Sequence, residues 1–231
     1  MPSSVNWIRQ EEMFSEWIAG GREDEDPVHG FLDSPVEANG DGFLLTHGAG
    51  GDSRSRLLVS MAEAFVERGF HVLRFDLAFR QERPHGPPSF GGAARDREAI
   101  RRAVSAMRKK VPGRIYLGGH SYGGRQATML AAEEPQLAEG LLLLSYPLHP
   151  PRKPQELRVA HFPKLRTPAF FVHGTRDPFA SVEEMESAVR LIPAPHTLLE
   201  LEGAGHDLLR KGGSAETPAQ VAKAFQKFIA L

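Results

Sequence analysis

Short apolar runs alternate with segments of helical period along the chain from residue 43 to its end, and this alternation constrains the fold most. The first run is Phe43-Leu44-Leu45-Thr46, which is typical of a buried parallel strand. Further strands are predicted at 70–76, 114–118, 141–144, 169–172 and 197–201, with helices at 53–68, 93–110, 122–134, 181–192 and 215–230. Such alternation favours an α/β fold with a mostly parallel sheet, helices on both faces, and functional groups at the carboxyl ends of the strands.

The first 27 residues lie outside this pattern, and we interpret them as an N-terminal extension to a domain of residues 28–231. Gly20-Gly21 and the acidic run 23–27 are typical of a solvated linker. Before that linker, apolar side chains are spaced to line one face of a short helix, namely Trp7, Ile8, Phe14, Trp17 and Ile18.

Composition argues against several classes of protein. The 28 Lys and Arg residues are balanced by 29 Asp and Glu residues, so no basic excess indicates a nucleic-acid partner. The chain has no cysteine, which excludes disulfides, thiolate zinc sites and a cysteine nucleophile. The charged first twenty residues do not resemble a signal peptide, and no apolar stretch is long enough to span a membrane. We therefore expect a soluble, cytoplasmic protein that is a monomer or a homodimer.

The motif Gly119-His120-Ser121-Tyr122-Gly123 follows the predicted strand 114–118. Glycines two residues before and two after a serine are the requirement of a nucleophile elbow, a tight strand-to-helix turn that exposes the hydroxyl. The helix that follows points its N-terminus at the site and favours developing negative charge. Ser121 is accordingly the predicted nucleophile of a serine hydrolase.

Two partners for Ser121 follow later strands, in the chain order Ser, Asp, His. Asp177 comes after the strand 169–172, and His206 comes after the strand 197–201. A serine hydroxyl needs an imidazole to take its proton, and the imidazole needs a carboxylate to fix its tautomer. Asp76 is an alternative acid, but chain order favours Asp177 and leaves Asp76 the structural task of holding the loop after it.

A tetrahedral intermediate also needs backbone donors for its oxyanion. We predict the N–H groups of Tyr122 and Ala49, the latter in the glycine-rich turn 47–51. That turn does not fit a dinucleotide site, because Ser53 replaces the third glycine, and Gly124-Arg125 stands where a phosphate-binding loop needs Lys-Ser/Thr. The histidines lack paired metal-ligand spacing, so no cofactor and no metal are predicted.

The elbow and the turns at Asp177 and His206 resemble the α/β-hydrolase superfamily over residues 42–231. More narrowly, the segments 45–51, 73–75 and 144–151 look like a dienelactone-hydrolase-like branch. That branch groups bacterial predicted hydrolases with a testis-expressed animal protein and a subunit of a chromatin-acetylating complex. The resemblance implies the α/β-hydrolase fold and a triad of Ser121, Asp177 and His206, but little about the substrate. Dienelactone hydrolases themselves use a cysteine nucleophile, from which Ser121 departs.

The interval 145–168 is too short and too rich in proline and charge for a helical cap domain, so we expect an open, shallow site. Residues 77–92 are expected to form its other wall. His149 and Tyr146 either line this pocket or belong to a loop that its prolines stiffen. Arg125, one turn into the elbow helix, either binds an anionic substrate group or, as we favour from sequence, pairs with a structural carboxylate.

These observations predict a carboxylesterase-type serine hydrolase (EC 3.1.1-like) that cleaves a small carboxylic ester or thioester through an acyl-enzyme on Ser121. Its expected partner is a small-molecule acyl substrate. The alternative is a non-catalytic interaction or scaffold protein on a hydrolase fold, because a fold does not by itself establish an activity. Acyl transfer to an acceptor other than water is a third option.

Overall fold

The computed structural model describes residues 15–19, 28–209 and 216–230. Its strands are β1 (Ser15–Ala19), β2 (Val28–Asp33), β3 (Gly42–Thr46), β4 (His71–Phe75), β5 (Ile115–His120), β6 (Gly140–Leu144), β7 (Ala169–Gly174) and β8 (His196–Leu201). Its helices are α1 (Arg56–Val66), α2 (Ala78–Glu82), α3 (Ala93–Arg108), α4 (Tyr122–Glu133), α5 (Val182–Val189) and α6 (Glu216–Phe228). Each strand and helix predicted from residue 43 onward is present, within a few residues of its expected ends.

The strands form one sheet in the order β1-β2-β4-β3-β5-β6-β7-β8. The strands β4, β3, β5, β6, β7 and β8 are parallel to one another. The strands β1 and β2 are antiparallel to their neighbours. Parallel strands end at the same edge of a sheet, so the loops after β3, β5, β7 and β8 meet there. The predicted mostly parallel α/β sheet is confirmed.

Two apolar layers cover the two faces of this sheet. Successive strand residues point to opposite faces, so Leu44 belongs to the apolar layer that includes residues of α3, α4 and α5, whereas Phe43 belongs to the layer that includes residues of α1 and α6. On the second face the Phe43 ring lies 4.2 Å from that of Phe65 and 5.3 Å from that of Phe225, centroid to centroid. Each such buried aromatic ring stabilises the fold by roughly 1.5–3 kcal/mol. The sheet is therefore a rigid base for the loops at its carboxyl edge.

The N-terminal helix prediction is wrong where the structure tests it. Trp17 and Ile18 lie in β1, which pairs with β2, and the other three residues of the predicted apolar face lie outside the described residues. The free edge of β2 offers backbone hydrogen bonds, and aromatic and β-branched residues fit a strand, so pairing overrides the helical spacing. The division into an extension and a domain at residue 28 stays a prediction.

The segments beside the carboxyl edge differ in how well the sequence predicted them. Between β6 and β7 the only helical element is a three-residue 3-10 helix at Phe162–Lys164, so there is no cap domain, as expected. The expected loop 77–92 begins instead with α2, which is too short to show a helical period. Within the described ranges, no helix has the length and apolar character needed to cross a bilayer.

Candidate active site

Ser121 lies on the sharp turn between β5 and α4, with φ 50° and ψ −113°. Residues other than glycine rarely adopt a positive φ. Those that do are concentrated at functional sites. The flanking glycines allow close backbone contacts. A Cβ on Gly119 would lie 2.5 Å from the nitrogen of Gly124, and a Cβ on Gly123 would lie 2.5 Å from the carbonyl oxygen of His47. Larger residues at these two positions would therefore force β5, α4 and the glycine-rich turn after β3 apart.

A continuous chain of hydrogen bonds joins the three residues that the sequence singled out. Ser121 Oγ lies 2.8 Å from His206 Nε2, and His206 Nδ1 lies 2.8 Å from Asp177 Oδ2. The second carboxylate oxygen of Asp177 accepts the N–H of Phe179 at 2.9 Å. The Asp177 side chain is fully buried, whereas that of His206 is 23% exposed. The arrangement fixes the carboxylate in a dry environment and leaves the imidazole accessible.

Two further residues hold His206 in place. The Phe179 ring packs on the imidazole with 4.3 Å between centroids. His120 Nε2 donates to the carbonyl oxygen of His206 at 2.8 Å, and burial lowers the pKa of His120 to about 4, so its ring is neutral. Sequence reasoning missed both residues, although His120 lies inside the elbow motif and Phe179 only two residues after Asp177. Their proximity in sequence to the motif residues was the only available signal.

The glycine-rich turn after β3 lies directly against the elbow. A Cβ on Gly48 would be 3.4 Å from the Cβ of Ser121. Among the described residues, the N–H groups of Ala49 and Tyr122 have no hydrogen-bond acceptor. Tyr122 is also the first residue of α4, where the helix dipole is positive. Both predicted oxyanion donors are thus unengaged beside Ser121.

His47 supports this turn from behind. Its fully buried ring lies 2.8 Å, through Nδ1, from the carbonyl oxygen of Gly48, while Nε2 accepts the N–H of Leu77 at 3.1 Å. Burial lowers the pKa of His47, and a neutral ring with its proton on Nδ1 satisfies both contacts. The Gly48 carbonyl belongs to the same peptide unit as the Ala49 N–H. The His47 hydrogen bond therefore fixes and polarises the predicted oxyanion donor.

Arg80 binds the carbonyl groups that follow Gly48 in the glycine-rich turn. Its guanidinium donates to the carbonyl oxygens of Ala49 at 3.2 Å and Gly51 at 2.8 Å. The same group donates to the carbonyl oxygen of Gly86 at 3.1 Å, so the 77–92 segment is attached to the turn. Arg80 is only 8% exposed. Its charge is thus dispersed over backbone carbonyls.

Asp76 takes no part in the chain of hydrogen bonds at Ser121. Its carboxylate accepts the N–H of Ser53 at 2.7 Å. The carboxylate therefore holds the end of the glycine-rich loop before α1, which the parallel pairing of β3 and β4 brings beside the end of β4. The carbonyl oxygen of Asp76 accepts the side-chain amide of Gln81 at 2.7 Å, so the residue also holds the segment after its own strand, as predicted.

The structure buries Tyr146 and His149 in the segment after β6. Tyr146 is 1% exposed, its ring packs against Phe162, and its hydroxyl donates to the carbonyl oxygen of Arg158 at 2.7 Å. His149 is 5% exposed, and its Nε2 lies 3.3 Å from a carboxylate oxygen of Glu184 in α5. The chain turns into the core after β6 because the Tyr146 ring buries apolar area there. The alternative, a structural loop, fits these contacts.

Arg125 lies one helical turn behind the nucleophile, and its N–H donates to the carbonyl oxygen of Ser121 at 3.0 Å. In the part of the chain that the structure describes, it forms no ion pair, and its buried Nε has no hydrogen-bond partner. The favoured prediction, a structural carboxylate as the partner of Arg125, thus finds no partner among these residues and stays a prediction. Also within the described residues, no three His, Cys, Asp or Glu side chains cluster as metal ligands would.

A family model described as an alpha/beta hydrolase domain matches residues 40–230. The chain belongs to the alpha/beta hydrolase family. Solved structures with this fold include dienelactone hydrolase from Anabaena variabilis, which is 19% identical with a TM-score of 0.73 over 94% of this chain and 98% of that chain. Est1E from Butyrivibrio proteoclasticus is 18% identical with a TM-score of 0.72, over 94% of this chain and 99% of that chain.

A third similar structure is XC6422 from Xanthomonas campestris, described as a serine hydrolase without a lid. It is 17% identical with a TM-score of 0.71, and the match covers 94% of each chain. At such identities the likeness shows that this alpha/beta hydrolase shares the fold. The predicted dienelactone-hydrolase-like resemblance is confirmed at this level, and the narrower grouping with the testis-expressed protein stays a prediction.

Proposed function

We propose that this alpha/beta hydrolase is a serine esterase, which cleaves a small carboxylic ester or thioester through an acyl-enzyme on Ser121. The observation that carries the proposal is the chain of two 2.8 Å hydrogen bonds from Ser121 through His206 to buried Asp177. A serine with φ 50° at a helix N-terminus further supports this role, because the strained turn presents its hydroxyl to a substrate.

In the proposed acylation step, His206 takes the Ser121 proton on Nε2 while Oγ forms a bond to the ester carbonyl carbon. Asp177 stabilises the resulting imidazolium through Nδ1–H. The intermediate's oxyanion accepts the N–H groups of Ala49 and Tyr122. The intermediate then collapses, the bond to the leaving oxygen or sulfur breaks, and the leaving group receives the proton from His206.

Deacylation repeats these steps with water as the nucleophile. His206 takes a proton from water, the hydroxide oxygen adds to the acyl carbon, and Ser121 leaves with the proton returned by His206. The carboxylic acid is released, the alcohol or thiol having left in the acylation step, and the enzyme is regenerated. The segment between β6 and β7 forms no cap over the site, which supports short or exposed acyl groups over long buried chains.

A fluorophosphonate probe tests the proposal, since it forms a covalent bond only with an activated serine. We expect labelling of Ser121 in the wild-type protein, located by peptide mapping, and none in Ser121→Ala. The matched control is Ser145→Ala. Ser145 is also buried, also has φ 50°, and follows the neighbouring strand β6, but its hydroxyl has no hydrogen-bond partner among the described residues. That variant should label like wild type.

Turnover provides the second measurement. The Ser121→Ala variant should lose about 10⁴-fold or more in kcat on 4-nitrophenyl esters while keeping the wild-type circular dichroism spectrum. A folded wild-type protein that neither labels nor hydrolyses these esters would favour the scaffold alternative. Release of the acyl group only when an alcohol or amine acceptor is added would instead assign acyl transfer.

A further inference from the structure

Arg125 is a charged side chain beside the proposed nucleophile that the proposed reaction does not use. It lies four residues after Ser121 on α4, and therefore on the same face of the helix. Long side chains in a helix lean toward its N-terminus, so the guanidinium is directed toward the edge of the sheet where Ser121 lies. The residue is partly buried, and its Nε is fully buried without a hydrogen-bond partner in the described part of the chain.

A second guanidinium lies close to the first. Arg158 comes from the segment between β6 and β7 and is held in place by donating to the carbonyl oxygen of Pro147 at 3.2 Å. Its own carbonyl accepts the hydroxyl of Tyr146, a side chain that also interacts with Arg125. Burial lowers the pKa of Arg158, and repulsion from Arg125 lowers it further. The two positive charges are thus neighbours in a partly buried setting.

Among the described residues, no carboxylate forms an ion pair with either arginine. Glu156 attracts Arg158, but it is exposed to screening solvent and pairs directly with Lys153 at 2.9 Å. His161 borders the pair, and burial together with Arg125 lowers its pKa to about 4, so it is neutral and supplies no negative charge. The pair therefore carries positive charge that no ion pair in the described residues offsets, and Arg125 lies on the face of α4 that begins at Ser121.

The other buried arginines show that this pattern is unusual for the molecule. Arg74 donates to both carboxylate oxygens of Asp33, and Arg80 donates only to backbone carbonyls, so each is satisfied within the chain. A buried donor without a partner is costly, and a half-buried pair of like charges is costlier still. A bound anion would remove both costs at once.

We propose that Arg125 and Arg158 bind a carboxylate on the acyl part of the substrate, so that the preferred ester carries a free carboxylate at the far end of its acyl chain. This inference rests on the proposed function, because it places the carboxylate relative to an ester carbonyl on Ser121. Guanidinium groups match the planar carboxylate with two parallel hydrogen bonds. The backbone positions of Ser121 and Arg125 are separated by a helix rise of about 6 Å. An acyl chain as long as that of adipate spans this distance, so we choose it as the probe.

The experiment compares two esters of one shape. The first is the 4-nitrophenyl monoester of adipic acid with its free carboxylate, and the second is the same compound with that carboxylate capped as a methyl ester. The quantity is the ratio of their kcat/KM values, read from 4-nitrophenolate release. We expect the wild-type enzyme to favour the free carboxylate, and Arg125→Gln and Arg158→Gln each to reduce the ratio by about 10- to 100-fold, the effect of losing a charged hydrogen bond.

Two further variants sharpen this comparison. Arg125→Lys keeps the positive charge but loses the planar guanidinium, which can form two parallel hydrogen bonds with a carboxylate. Its ratio of kcat/KM values should therefore fall between those of wild type and Arg125→Gln. Arg190→Gln removes an equal charge from an exposed residue at the C-terminal end of α5, and its ratio should stay at the wild-type value. A wild-type ratio near one, or equal ratios in Arg125→Gln and Arg190→Gln, would overturn the inference while hydrolysis of the capped ester kept the proposed function intact.

A binding measurement separates failure of this inference from failure of the proposed function. The folded Ser121→Ala variant cannot turn the ester over, so calorimetry can measure its affinity for the free-carboxylate ester directly. We expect this affinity to fall about 10- to 100-fold when Arg125→Gln is added. Tighter binding of a phosphorylated ester of the same length would replace the carboxylate assignment with a phosphate. Equal binding of the free and capped esters would contradict an anion site of either kind.

Discussion

The two sides of Ser121 are built differently. On the side of the glycine-rich turn, buried polar groups have partners: His47 bonds to Gly48 and Leu77, and Arg80 bonds to a set of backbone carbonyls. On the side of the segment between β6 and β7, two buried polar atoms have none among the described residues, namely Arg125 Nε and Ser145 Oγ. Within the described ranges, the first side, the oxyanion side, leaves open only the backbone N–H groups of Ala49 and Tyr122, whereas the second, the insert side, leaves buried side-chain atoms without partners.

Buried arginines have two different roles on the two sides of Ser121. A buried cation whose donors all meet the chain's own carbonyls fixes a backbone shape, as Arg80 does for the turn at Ala49. A cation with an unmet donor, such as Arg125 Nε, costs stability, and a bound anion would offset that cost. The oxyanion side should therefore respond to mutation through both stability and rate, and the insert side through substrate choice.

Arg80→Met should have the largest effect on the oxyanion side. It leaves several backbone carbonyls without donors, so we expect a loss of about 3 kcal/mol in the free energy of unfolding. Displacement of the Ala49 turn should also lower kcat by about 10²-fold, the scale of one oxyanion donor. Urea unfolding and steady-state kinetics measure the two effects, and exposed Arg83→Met is the control. An unchanged kcat in a folded Arg80→Met protein would show that the turn is held without Arg80.

His120 should make stability depend on pH. Its pKa in the folded protein is about 4, below the ordinary 6.5, because the ring is buried. Between these values the unfolded chain binds a proton that the folded protein does not, so stability is lost as the pH falls from 6.5 toward 4. The shift corresponds to about 3 kcal/mol. Arg80→Met should not alter this pH dependence.

His120→Gln tests this origin, because the amide can still donate to the carbonyl oxygen of His206 but does not titrate. Urea unfolding at pH 7 and pH 4.5 should show a smaller loss of stability for the variant than for wild type. Equal losses in the two proteins would assign the acid sensitivity to other groups, of which His161, with a pKa also lowered to about 4, and buried His47 are the first to consider.

On the insert side, Ser145→Gly should stabilise the protein by about 1 kcal/mol. The change removes a buried hydroxyl without a hydrogen-bond partner and relieves a φ of 50° in a residue with a side chain. Thermal unfolding of wild type and Ser145→Gly measures this gain. A clear loss would mean that the Ser145 hydroxyl has a structural partner, and would weaken the contrast between the two sides.

Arg125→Met should have the smallest effect on stability, within about 0.5 kcal/mol of wild type, because no structural hydrogen bond of the Nε group is lost. The same unfolding experiment checks this value, and Arg80→Met is its counterpart on the oxyanion side. A loss of 2 kcal/mol or more in Arg125→Met would show that the guanidinium stabilises the fold itself. The two arginines would then be alike.

The sequence was sufficient for the sheet and for the residues whose place follows from strand ends. Ser121, Asp177 and His206 each follow a parallel strand, and such strands end at one edge, so their convergence could be predicted from chain order. The roles of His120, Phe179 and Arg80 could not, because they depend on contacts between loops that no local pattern encodes. The position of the Tyr146 side chain could not be predicted for a related reason. A residue that directly follows a strand can direct its ring either outward to a pocket or into the core.

The bond between Ser121 and His206 closes a loop of 85 residues, and the sheet between them is parallel. Parallel pairing and long loop closures make folding slow, since their entropy is lost before the contacts form. The nucleophile and its base therefore meet only after β6, β7 and β8 have joined the sheet. Recovery of esterase activity after dilution from denaturant should thus lag behind the recovery of helical circular dichroism, which makes the chemistry itself a reporter of the last step of folding.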